Sequence, residues 1–113
     1  MKYFKTAHRT LVLGLGLLAM AKGAWSADDA DEIRARKLIN SQGCKACHVV
    51  DGVGGSLGPN LDLIQPRLTP DETEHKLVNH QRQHADSRVP DFSHLSGDEI
   101  TILIKFLHRP SPP

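Results

Sequence analysis

The chain has 113 residues, with fourteen Lys and Arg against thirteen Asp and Glu, and only 4% aromatic residues. That length suits one small domain, and so little basic excess disfavours a nucleic-acid binder. So few bulky side chains leave a domain of this size short of core material.

The first stretch reads as a leader. Lys2, Lys5 and Arg9 precede an uncharged apolar run from Leu11 to Ala21, and Ala24-Trp25-Ser26 forms a small-x-small cleavage site before acidic Asp28-Asp29. This pattern predicts a secretory signal peptide over residues 1–26 and a mature domain over 27–113. The apolar run is about half of the ~20 residues that span a bilayer, so no stable membrane anchor is expected. No cysteine near the cut offers a site for a lipid. The expected localisation is therefore periplasmic. Cleavage after Ser26 leaves 87 residues in which ten bases face thirteen acids, a net charge of −3, with Phe92 and Phe106 as the only aromatics.

A first helix is expected from about Asp29 to Ser41. Asp29, Asp31 and Glu32 favour its first turn, and Gly43 ends it. Cys44-Lys45-Ala46-Cys47-His48 follows at once. Two thiols three positions apart with an imidazole directly after are the signature of covalent c-type haem attachment. Each thiol adds to one vinyl group of the porphyrin, and His48 is then placed to bind the iron as the proximal ligand. These are the only two cysteines, so one covalent haem is the maximum. The competing readings fit less well. A redox dithiol needs no histidine here, a zinc site would want a second ligand pair, and a disulfide across so short a loop is strained. A central porphyrin would also supply the missing core.

Val49 to Pro66, rich in glycine up to Gly58-Pro59, reads as loop with no strand, and Leu61, Leu63 and Ile64 are expected to face inward. No Lys-Ser/Thr follows the glycines, so a wrap around a cofactor suits them better than a phosphate cradle. Thr69-Pro70-Asp71-Glu72 is a capping box that opens a second helix, expected to fade near His84–Asp86. Ser87 to Pro90 is expected to be extended. Ser96-Gly97-Asp98-Glu99 opens a third helix with an apolar stripe of Ile100, Leu103, Ile104 and Leu107, widened by Ile102 and Phe106. Arg109-Pro110 stops it, and Ser111–Pro113 is expected to be a disordered tail.

This order of elements resembles a small class I bacterial cytochrome c along almost the whole mature chain. Cys44, Cys47 and His48 match the family's attachment site, and Gly58-Pro59-Asn60-Leu61 matches its Gly-Pro-x-Leu segment. The resemblance implies an all-α fold of three main helices and loops wrapped around one haem. It implies that the Pro59 carbonyl orients His48 and that Leu61 lies at the cofactor. It also implies that the closing helix, with Phe106-Leu107, crosses the first one with Ala35 at the contact. The departure comes at the sixth iron ligand. Where the family has Met-Pro-x-Phe, this chain has Val89-Pro90-Asp91-Phe92, and its only methionines, Met1 and Met20, lie in the leader.

The sixth position therefore stays open at this stage. His84 is the first choice of ligand, His80 and His94 are alternatives, and an empty distal site under Val89 is a further reading. His75 and His108 are expected to be solvated surface imidazoles. The expected function is single-electron transfer between redox protein partners, with a positive patch on the partner facing the acidic carrier. Loss of a distal methionine should lower the reduction potential. A five-coordinate haem protein that binds or senses NO or CO, or a haem subunit of a larger oxidoreductase, is the alternative. No independent enzyme is expected, and the chain should be a monomer or weak dimer.

Overall fold

The computed structural model describes residues 26–83 and 88–110. The expected leader except Ser26, the tail Ser111–Pro113, and His84 with its three successors lie outside the described residues. Within them, three α-helices carry the fold: α1 (Ala27–Ser41), α2 (Pro70–Val78) and α3 (Gly97–Leu107). Short 3-10 turns at Cys44–Ala46, Leu61–Leu63 and Gln81–Gln83 lie between them, with two-residue strands β1 (Val49–Val50) and β2 (Val53–Gly54). The mostly helical expectation holds, and the hairpin corrects it.

Local chemistry sets the helix ends. The Ser26 hydroxyl accepts the Asp29 N–H and the Asp29 carboxylate accepts the Ser26 N–H, both at 3.2 Å. Asp29 thus closes a capping box, and α1 starts two residues before its expected first residue. Thr69 with Glu72, and Ser96 with Glu99, form the two boxes legible in the sequence. The second helix stops earlier than expected, at Val78. Asn79 takes the C-cap, and its amide donates to the His75 carbonyl at 2.9 Å.

The hairpin pairs Val50 with Val53 and Val49 with Gly54, antiparallel. Asp51 and Gly52 between them have φ of 53° and 70°, the two left-handed residues that a type I′ turn requires. The Asp62 carboxylate accepts both of their N–H groups at 2.8 Å. Residues 49–66 are therefore more ordered than a plain glycine loop. Leu61 and Ile64 are half-buried as expected, but Leu63 is 50% exposed. It sits in a 3-10 turn, whose tight pitch turns its neighbours to different sides.

The core lies where α1 meets α3. Ala35 is fully buried there with Ile39, Val50, Ile102, Leu103 and Phe106. A methyl at position 35 lets the helices come close, in keeping with the crossing that the resemblance implies. Each large apolar side chain buried here contributes about 1.5–3 kcal/mol. The buried face of α3 is Ile100, Ile102, Leu103 and Phe106, while Ile104 and Leu107 are only half-buried. Exposed ion pairs from Arg34 to Asp98 (2.6 Å) and from Lys105 to Asp28 (2.7 Å) and Asp31 (3.1 Å) flank the crossing and add little.

Two ties complete the frame. Asp51 in the hairpin turn is bonded to both Arg36 of α1 and Arg109 beyond α3, and both guanidiniums lie over the Phe106 ring. The second tie joins α2 to α3. Thr73, 3% exposed, donates its hydroxyl proton to the Thr69 carbonyl at 2.9 Å and accepts from His108 Nε2–H at 2.8 Å. His108 is therefore a packed structural residue, which corrects its reading as a solvated imidazole.

Candidate functional site

The site begins at Gly43, whose φ of 70° turns the chain sharply out of α1. The Cys44 carbonyl then accepts the N–H groups of Cys47 at 3.3 Å and His48 at 3.0 Å. Two thiols and an imidazole thus issue from one tight turn. The cysteines form no disulfide and are half-buried. Burial pushes the Cys44 thiol above its ordinary value. A redox dithiol needs the opposite shift, so this environment does not suit one.

The glycine loop wraps the turn. Gly55 N–H donates to the Lys45 carbonyl at 2.9 Å, and Gly58 N–H to the Cys47 carbonyl at 2.8 Å. A Cβ on Gly54 would fall 2.0 Å from the His48 carbonyl oxygen, and one on Gly55 would fall 2.3 Å from that of Ala46. A Cβ on Gly58 would sit 2.3 Å from Cε1 of the His48 ring. The glycines are there for close approach, and what they enclose is the cysteine–histidine turn. The next residue completes the cradle: His48 Nδ1 lies 2.7 Å from the Pro59 carbonyl oxygen. A carbonyl only accepts, so Nδ1 carries the proton and the neutral ring has its lone pair on Nε2.

A second imidazole faces the first. His80 follows the α2 C-cap, its N–H 3.3 Å from the Leu77 carbonyl. Its ring centre is 6.3 Å from that of His48, with 61° between the planes. Its Nδ1 lies 3.3 Å from the Pro90 carbonyl. Phe92, 5% exposed, also packs against it, with ring centres 5.2 Å apart. The two histidines therefore share one device: each ring proton is directed to the carbonyl of a proline.

Compared with known proteins, the chain matches no family model, no curated protein and no solved structure. The chemistry of the site rests on its own residues.

Cys44, Cys47, His48 and Pro59 come together as the motif suggests. Phe92 belongs to the same site through His80. Leu61 and Cys44 also pack against the α1–α3 core. Val89 is half-buried just before Pro90. His94 is exposed, with Nε2 3.0 Å from the Gln42 side-chain oxygen at the end of α1. His75 is exposed on α2. His84 lies outside the described residues. His80 stands in the turn directly after the α2 C-cap rather than within the helix.

The donor set fits a c-type haem. It offers two unoxidised thiols at attachment spacing and an oriented imidazole beside them. Among the described residues no three His, Cys, Asp or Glu side chains converge on one point, so a four-ligand zinc centre has too few donors there.

Proposed function

We propose that this protein is a periplasmic monohaem c-type cytochrome that carries single electrons between redox proteins. The observation that carries the reading is the His48–Pro59 contact, made beside a Cys-x-x-Cys-His turn whose backbone Gly54 and Gly55 approach and whose ring Gly58 approaches. Orienting a metal-binding imidazole through its far nitrogen is the usual role of such a carbonyl.

The chain's residues divide the work. Cys44 and Cys47 would hold the cofactor, each thiol adding across a vinyl double bond with the sulfur bonding one carbon and the proton going to the other. His48 would bind the metal through Nε2, with Pro59 keeping the ring from turning. When bound, haem supplies a one-electron iron couple. The half-buried Cys47 lies near the surface, where a docked partner could come close to the attached edge. The acidic mature chain favours partners with a positive patch. Among the described residues no helix is long and apolar enough to cross a membrane. The protein works as a carrier rather than as an enzyme.

Intact mass tests the reading. Expressed in a bacterium that attaches c-type haem, the protein should have the mass of the processed polypeptide plus one haem, and should stain for haem on a denaturing gel. The double variant C44A/C47A should lose that stain completely. A colourless wild-type protein with the bare polypeptide mass would overturn the proposal.

A further inference from the structure

The imidazole across from His48 has more than a packing role. We infer that His80 is the second axial ligand of the iron, so that the protein holds its metal between two histidines and leaves no open coordination position. The inference rests on the haem reading above and deepens it.

Three observations carry it. The first is spacing. An imidazole nitrogen binds a first-row metal at about 2 Å and lies about 1 Å from its ring centre, so two imidazoles on opposite sides of one metal have centres roughly 6 Å apart. The His48 and His80 centres are 6.3 Å apart. Direct packing between the rings does not require that gap, since aromatic rings also meet at about 5 Å, as His80 and Phe92 do at 5.2 Å.

The second is orientation. A ligating histidine usually directs its other ring nitrogen to a fixed acceptor, which sets the tautomer and holds the ring. His80 directs Nδ1 at the Pro90 carbonyl as His48 does at that of Pro59. In the neutral ring this assigns the lone pair to Nε2 on both sides. The buried Phe92 ring packed against His80 limits that ring's freedom to turn.

The third is the state of the alternatives among the described residues. Valine at position 89 has no donor atom. His94 Nε2 is engaged with Gln42, and His108 Nε2 donates its proton to Thr73. His75 lies exposed on α2. The chain thus replaces the distal methionine with a histidine from the turn after α2. A closed, six-coordinate iron favours electron transfer over gas binding.

Spectroscopy of the haem-loaded full chain decides the matter. Haem content is measured first, by the alkaline pyridine spectrum, on wild type, H80A, H84A, H94A and H80M. Wild type should contain one haem and be low-spin in both oxidation states, with a bis-imidazole electron-paramagnetic-resonance signal and no CO binding when reduced. H80A should keep its covalent haem, become high-spin and bind CO. H84A and H94A should match wild type. H80M should stay low-spin with a raised potential, because methionine–histidine ligation favours the ferrous form.

Haem-loaded H80A that remains low-spin and inert to CO would overturn the inference. So would a high-spin wild type, or a high-spin H84A or H94A. If H80A does not accumulate, a bis-imidazole wild type with unchanged H84A and H94A supports His80. A wild type with no covalent haem overturns the underlying function instead, which separates the two failures.

Discussion

The two histidines sit in cradles of different build. Around His48 the chain is held at several points: two hydrogen bonds from the glycine loop, two within the motif, and a 2.7 Å contact from the ring to Pro59. Around His80 the corresponding proline contact is 3.3 Å, and the ring leans on one buried aromatic. One side is fixed by main chain, where no single side chain is decisive. The other depends on side-chain packing, where one substitution can matter greatly. In the reading proposed above, the attachment side is set before the cofactor arrives, while the distal side is where ligation and potential can be tuned.

The strongest way to sharpen the contrast is Phe92→Ala. Truncating a buried phenylalanine costs about 3–5 kcal/mol, and here it also removes the wall behind His80. Chemical denaturation should show that loss, and the haem-loaded variant should gain a high-spin fraction while keeping its covalent haem. A fully low-spin F92A would mean that the His80 side is as well fixed as the other.

Next in size is Gly58→Ala. The added methyl meets the His48 ring, whose far nitrogen is already committed to Pro59, so the ring cannot readily give way. Overpacking of this kind costs about 1–3 kcal/mol. The expected result is reduced stability and a lower yield of haem-loaded protein, with His80 still bound in the molecules that mature. Unchanged stability and yield would show that the loop can shift and that the cradle is less rigid than its hydrogen bonds suggest.

The smallest expected effect is with acid. Backbone and hydroxyl hydrogen bonds from Thr69 hold the Glu72 carboxyl below its ordinary 4.5, and those from Ser93 hold Asp91 below 3.8. Both groups serve the His80 side, one capping α2 and the other bracing the turn before Phe92. A lowered carboxyl value stabilises the fold above the ordinary value and loses that contribution as pH falls through the lowered one. Amide exchange, corrected for intrinsic rates, should therefore show Thr69 and Ser93, whose N–H groups donate to these carboxylates, losing protection as pH falls below the ordinary carboxyl values while Gly58 keeps its own. Parallel loss at all three would erase the distinction between the cradles.

Much of this arrangement was legible in the residues. Thr69-x-x-Glu72 and Ser96-x-x-Glu99 fixed two helix starts because a capping box is local. The Cys-x-x-Cys-His turn and Gly58-Pro59 pointed to one another through a known resemblance. The hairpin was missed although Asp51-Gly52 is a strong turn signal, because the surrounding glycines suggested loop throughout. α2 ends at Val78, several residues before the expected fade near His84–Asp86, because an asparagine cap is a weaker local signal than a glycine. His84, the first choice of ligand, lies outside the described residues. Other features could not be read at all. His108 meets Thr73 across 35 residues, and Asp51 meets Arg109 across 58. Only tertiary packing creates such pairs, and a linear pattern carries no trace of them.

The Asp51 clamp joins parts of the chain that are synthesised at different times. The thiols, the imidazole and the glycine loop are contiguous, so the turn that holds them needs only local contacts. The salt-bridged clasp over Phe106 needs Arg109, 58 residues beyond Asp51. In the reading proposed above, the cysteines could therefore meet the cofactor on a scaffold still lacking that clasp, and its closure would seal the product afterwards.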